Sequence, residues 1–283
     1  MAIFTNQATL TYNGNSVNSN IVTGNIVEVL AMTKTAVVDS YTGSSNVTYI
    51  LSITNSGITP FTGLTVTDNL GAYAFGAETR TPLSYVADSV VYYQNGVLQP
   101  APAVTDTDPL TFTGITVPAG GNAILVYEVA TNAFAPLAPE STITNEASVT
   151  GGGLSAPVTD EETITVTDEP VLSITKSLNP VNVTENSEIT YTFTIQNSGN
   201  TPAVATDNLV ITDTFDPILT DISVTINGAP LPAASYTYDE TTGSFATLPG
   251  AITVPAATFA QDPVTGVITV TPGVTTVTVT GTV

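Results

Sequence analysis

The sequence predicts an all-β chain folded as two tandem antiparallel sandwiches. Three observations predict it. Thr, Val and Ile alternate with other residues in short runs, Asn-Gly pairs separate such runs, and the second half of the 283 residues repeats the first.

The runs come in order along the chain: TYILSITNSG (48–57), LTVTDNL (64–70), AILVYEV (123–129), ITYTFTIQNSG (189–199) and TTVTVTGTV (275–283). β-Branched and aromatic residues at period two suit half-buried strands. Asn-Gly at 13–14, 95–96 and 227–228 signals tight hairpin turns. Helical periodicity persists nowhere. Short strands punctuated by Pro and Gly suit β-sandwiches of immunoglobulin-like type.

The repeat sets the domains. LAMTKTAVV (30–38) matches LSITKSLNP (172–180), and the segment 47–70 matches 189–215. VVYYQNGVLQP (90–100) matches ISVTINGAPLP (222–232), and 115–129 matches 268–283. The reading is an N-terminal donor-strand arm at 1–27, a first domain at 28–150, a linker or short hairpin at 151–168, and a second domain at 169–283.

Composition excludes several classes. With 24 acidic and 3 basic residues the formal net charge is −21, which nucleic acid would repel. An anionic membrane surface is excluded for the same reason. The acidity serves solubility. Calcium is the sharper reading, with TDEET (159–163) and DTDP (106–109) as candidates, though neither forms a recognisable calcium loop. There is no Cys, His or Trp, hence no disulfide, thiol chemistry, His-based triad or usual zinc site. No cofactor or metal is expected. The acids show no spacing that marks a hydrolase. No apolar run is long enough to span a membrane. MAIFTNQATL has no basic region followed by an apolar stretch, so no signal peptide is expected.

The only two lysines, Lys34 and Lys176, occupy the same repeat position. One reading pairs each with a neighbouring carboxylate. The other holds each in a core, where burial lowers the pKa and yields a neutral, nucleophilic amine. A buried Asp is pushed the other way and can act as a hydrogen-bond donor. Beside an Asn carboxamide, such a pair would form a Lys–Asn isopeptide and release ammonia. This is a single-turnover self-reaction, not enzymatic turnover.

The order of TK on a first strand, then NSG, then VTD or ITD, then TNEA on a last strand resembles the bacterial surface repeat called domain of unknown function 11. It also resembles the isopeptide-forming domains of Gram-positive fimbrial proteins. The resemblance implies a first-strand lysine joined to a last-strand asparagine, assisted by an aspartate. Here these are Lys34, Asp68 and Asn145 in the first domain, and Lys176 and Asp213 in the second. Similar repeats occur in clostridial spore appendages, which need no export signal, so a spore surface or another extracellular setting is expected.

The second domain departs from the pattern: no asparagine-bearing last strand follows VTVTGTV, and residues 264–283 carry no charge. Such an edge invites another strand. FTNQATLTY (4–12) matches ITNEASVTG (143–151) and places Asn6 where the first domain has Asn145. Entering a neighbour's second domain, Asn6 would meet Lys176 and Asp213, and the head-to-tail contact would propagate into a homopolymeric fibre. Two alternatives stay open. Asn6 could serve Lys34 while Asn145 serves Lys176, or the arm could close on its own second domain. A further alternative is a monomeric adhesin or binding module with internal bonds only, presenting loops 71–89 or 233–263.

Overall fold

The structure, a computed structural model, describes residues 2–283. Residues 2–26 form one long hairpin. β1 (Ala2–Asn6) pairs with β4 (Val22–Ile26), and β2 (Thr9–Tyr12) with β3 (Asn15–Asn18). Asn13 and Gly14 close it with φ of 44° and 81°, as a two-residue turn requires. Midway the register slips by one residue, between the Asn6–Val22 and Thr9–Asn18 pairs. There Ser19 Oγ accepts the Ala8 amide at 3.0 Å. Alternation puts Phe4, Asn6, Ala8 and Leu10 on one face. That face is uncovered: Phe4 is 54% and Leu10 67% exposed.

The first domain follows as β5 (Leu30–Ala36), β6 (Ser40–Tyr41), β7 (Asn46–Asn55), β8 (Phe61–Asp68), β9 (Tyr73–Phe75), β10 (Glu78–Arg80) and β11 (Leu83–Tyr85). It continues with β12 (Val91–Gln94), β13 (Val97–Gln99), β14 (Ala103–Thr107), β15 (Leu110–Val117), β16 (Asn122–Thr131), β17 (Thr142–Gly151) and β18 (Val158–Val166). One sheet runs β13-β12-β16-β7-β5, with β11 on β16; the other runs β14-β15-β8-β17-β18-β6. Inward residues alternate along each strand, for example Val47, Tyr49, Leu51 and Ile53 on β7 and Ile143, Ala147 and Val149 on β17. They meet in one core, the two-layer arrangement of an immunoglobulin-like sandwich.

Of the two readings of residues 151–168, linker or short hairpin, the structure has the hairpin: they return on β17 rather than lead away from it. β18 pairs with β17 from Thr142–Thr165 to Val149–Val158, and Ile164 and Val166 are buried in the first-domain core. An alternating apolar tail on an acidic stretch had concealed the strand.

The second domain holds β19 (Leu172–Asn179), β20 (Glu188–Asn197), β21 (Thr212–Thr214), β22 (Thr220–Ile226) and β23 (Ala229–Pro230). Then come β24 (Tyr236–Asp239), β25 (Ser244–Thr247), β26 (Thr258–Gln261), β27 (Ile268–Thr271) and β28 (Gly273–Thr282). Its sheets run β19-β20-β28-β22-β23 and β21-β25-β24. Where β8 pairs with both β15 and β17, β21 pairs with β25 alone. Strand β19 is exposed along nearly its whole length, whereas Leu30, Met32 and Lys34 of β5 are buried.

The NSG motifs are matching corners. Asn55 Nδ2 donates to Thr59 O at 2.8 Å and Pro118 O at 3.1 Å. Asn197 Nδ2 donates to Thr201 O at 2.8 Å and Pro255 O at 3.1 Å. This corrects the last repeat match: Pro118 corresponds to Pro255, so 115–118 matches 252–255 rather than the start of 268–283. Residues 256–272 are therefore an insertion, and β26 and β27 form its hairpin. It reaches the first domain, where Ile268 N donates to Ala133 O at 2.8 Å and Arg80 Nε to Thr265 O at 2.8 Å.

If β18 belongs to the core, Ile164→Ala destabilises the first domain by about 2–4 kcal/mol in urea unfolding. A linker residue would change stability by less than about 0.5 kcal/mol.

Candidate functional site

The pleat turns Lys34 on β5, Asp68 at the end of β8 and Asn145 on β17 into the same core. Lys34 Nζ donates to Asp68 Oδ2 at 2.6 Å, and both side chains are fully buried. Asn145 Nδ2 reaches the same oxygen at 3.4 Å. The amine and the carboxamide nitrogen are thus separated by no more than the sum of those two distances. Tyr127 Oη also donates to Asp68 Oδ2, and the Leu70 amide holds Oδ1 at 2.7 Å. Burial lowers the Lys34 pKa, and it outweighs the opposing pull of Asp68.

Two groups were missed by sequence reasoning. The Gly71 amide donates to Asn145 Oδ1 at 3.2 Å. It aims at the oxygen where charge would develop if the carboxamide carbon were attacked. Gly71 has φ of 72°, and a Cβ there would lie 2.4 Å from Ile143 Cγ2, so glycine is required. The signal available was the glycine three residues after Asp68 in DNLG. Tyr49 is the second: its ring centroid is 4.7 Å from Lys34 Nζ. Its hydroxyl is the one buried side-chain polar atom without a hydrogen bond among the described residues, and it lies beside Asn145.

The second lysine is set up differently. Lys176 Nζ contacts Asp213 Oδ2, and the rings of Tyr191, Phe193 and Phe215 lie 4.5, 5.5 and 5.4 Å from it. Its side chain is 40% exposed, so the expectation of a core lysine fails here within a single chain. Asn6 is exposed on β1, paired across the arm with Val22. The structure thus joins Lys34, Asp68 and Asn145, and separately Lys176 and Asp213, without bringing Asn6 to the second pair. With Asn145 beside Asp68, the alternative pairing of Asn145 with Lys176 is overturned.

The acidic clusters have local roles. Asp160 Oδ2 accepts the Lys34 backbone amide at 2.7 Å, and Asp106 Oδ1 accepts the Thr107 amide at 2.7 Å. Among the described residues no three acidic side chains converge to hold a metal ion. No helix among them is long and apolar enough to cross a membrane.

No family model and no curated protein matches the chain. Solved structures similar to it include the major pilin subunit BcpA of Bacillus cereus, at 11% identity and TM-score 0.37 over 96% of this chain and 73% of that one. The pilus backbone RrgB of Streptococcus pneumoniae is similar at 10% identity and TM-score 0.34, over 86% of this chain and 55% of that one. The collagen adhesin CNA of S. aureus is similar at 14% identity and TM-score 0.31, over 56% of this chain and 54% of that one. Its structural neighbours thus include pilin subunits and a collagen adhesin, and at these identities function must be argued from the site itself.

Burial raises the phenol pKa of Tyr41, Tyr49 and Tyr127. The folded state keeps protons that the unfolded chain gives up near pH ~10, so their contribution is whole below that pH and is lost above it. In an absorbance titration, Tyr41, Tyr49 and Tyr127 should stay protonated until the domain unfolds.

Proposed function

We propose that this chain is a structural subunit of a self-assembling bacterial surface fibre, of pilus-like or spore-appendage type. The first domain is stapled by a Lys34–Asn145 isopeptide. The arm of one subunit completes the second domain of the next, where Asn6 meets Lys176 and Asp213. The observation that carries this reading is the convergence of a buried amine and a buried carboxamide on one Asp68 oxygen. The uncovered second domain and the uncovered arm support its other half.

The chemistry uses only groups of this chain. Transfer of one proton from Lys34 to Asp68 along their hydrogen bond leaves a neutral amine and a carboxylic acid. Nζ then attacks Asn145 Cγ, and the Gly71 amide meets the charge that develops on Oδ1. The Nζ–Cγ bond forms and the Cγ–Nδ2 bond breaks. Asp68 passes that proton to Nδ2, so ammonia leaves, and the Asp68 carboxylate then takes the second proton that Nζ loses as the amide forms. Fixed proximity supplies most of the acceleration. No cofactor takes part, and the reaction happens once per site.

The bond closes a loop of more than 100 residues. On the chain-entropy model it stabilises the domain by roughly 4–5 kcal/mol. Lys34→Ala and Asp68→Ala should each abolish the loss of one ammonia in intact mass. A first domain that still loses it in Asp68→Ala would remove aspartate from its role. Boiled, reduced protein should run as a ladder of multimers on denaturing gels, and Asn6→Ala or Lys176→Ala should collapse it to monomer. A monomer lacking two ammonias would instead favour closure of the arm on its own chain, in a free-standing adhesin or binding module.

A further inference from the structure

We propose that the donor is a two-stranded unit: the whole hairpin 2–26 of a second copy docks, and its returning strand β4 is what buries Lys176. This rests on the fibre reading and specifies its partner surface.

The first domain supplies the template. There β17 alone does not enclose the lysine. Its hairpin mate β18 runs across β5, and Asp160 on it accepts the Lys34 backbone amide at 2.7 Å. Buried Ile164 and Val166 on β18 help seal the layer. In the second domain the corresponding face of β19 is open, with Leu172 41% and Ile174 55% exposed beside Lys176. A single added strand would extend β21 and leave that face in water.

The arm has the required form. Asn145 pairs across its hairpin with Glu162 and Ile143 with Ile164; Asn6 pairs with Val22 and Phe4 with Gly24. The buried Ile143–Ile164 pair is thus replaced by a large and a small residue. The Phe4 ring lies over Gly24, where a Cβ would come within 2.4 Å of it. Ala8 falls at the place of buried Ala147, which pairs with Asp68, so it would face Asp213. Residues 1–27 contain no Asp, Glu, Lys or Arg. In a chain of net charge −21, an uncharged segment meets another copy without adding charge repulsion.

Two neighbouring substitutions in the full-length chain test it. Val22 faces with Asn6, while Thr23 faces the other way. Val22→Asp should slow formation of covalent multimers at least tenfold, and Thr23→Asp should match wild type. In assemblies of Asn6→Ala, where the covalent link cannot form, Lys176 should resist an amine-acylating reagent at least tenfold better than in monomer. Equal rates for all three chains, or an equal loss in both variants, would overturn the two-stranded donor. So would Lys176 that stays reactive in the assemblies. Protection of Lys176 in a monomer would overturn the second copy as occupant. Wild type that forms no multimers and leaves Lys176 reactive would instead strike down the fibre reading itself.

Discussion

A lysine amine inside an apolar sandwich is the constraint from which the rest of the first domain follows. An unpaired ammonium there would be prohibitively costly, and a pair loses several kcal/mol per ion to desolvation. The domain answers with Asp68, whose two oxygens take the amine, the Tyr127 hydroxyl and the Leu70 amide. Once that pair exists, a carboxamide set against it has few fates. Asn145 is held by Asp68 at one end and Gly71 at the other. In the proposed reaction, structure and chemistry would be one arrangement, because neutralising the buried charges would also prepare the amine to attack.

Much of this was readable from the chain alone, for a definable reason. Strands with alternate burial write their faces into the sequence, so a charged residue on the core side stands out. Lys34, Asp68 and Asn145 all fall on inward positions of alternating runs. What escaped notice depends on backbone or on distant packing. Gly71 acts through its amide, which no side-chain pattern reveals. Tyr49 looks like any core aromatic until its hydroxyl is found beside Asn145. Strand β18 was hidden because the acids Asp160 and Glu162 of TDEET occupy its inward positions between Val158 and Ile164. The insertion at 256–272 escaped because its ITVT imitates the ITVP of the true match.

The two halves differ less in sequence than in completeness. Lys34 and Lys176 occupy the same strand position, each beside an Asp and over a Tyr ring. Yet one is sealed and the other 40% exposed. What separates them is the β17–β18 layer. Tyr127, which braces Asp68, is also replaced: Val279 pairs with Tyr191 where Tyr127 pairs with Tyr49. The second lysine therefore stays partly in water.

The β26–β27 hairpin bears on mechanics. It braces the joint between the two domains of one chain, touching Ala133, Arg80 and Tyr73 of the first. At the same place the first domain has only the short turn Pro118–Gly121 between β15 and β16, with nothing to brace a preceding neighbour. In a filament of such subunits, stiff joints would alternate with compliant ones. Bending would gather at the boundaries between molecules, giving a jointed rod whose segment length is one whole chain.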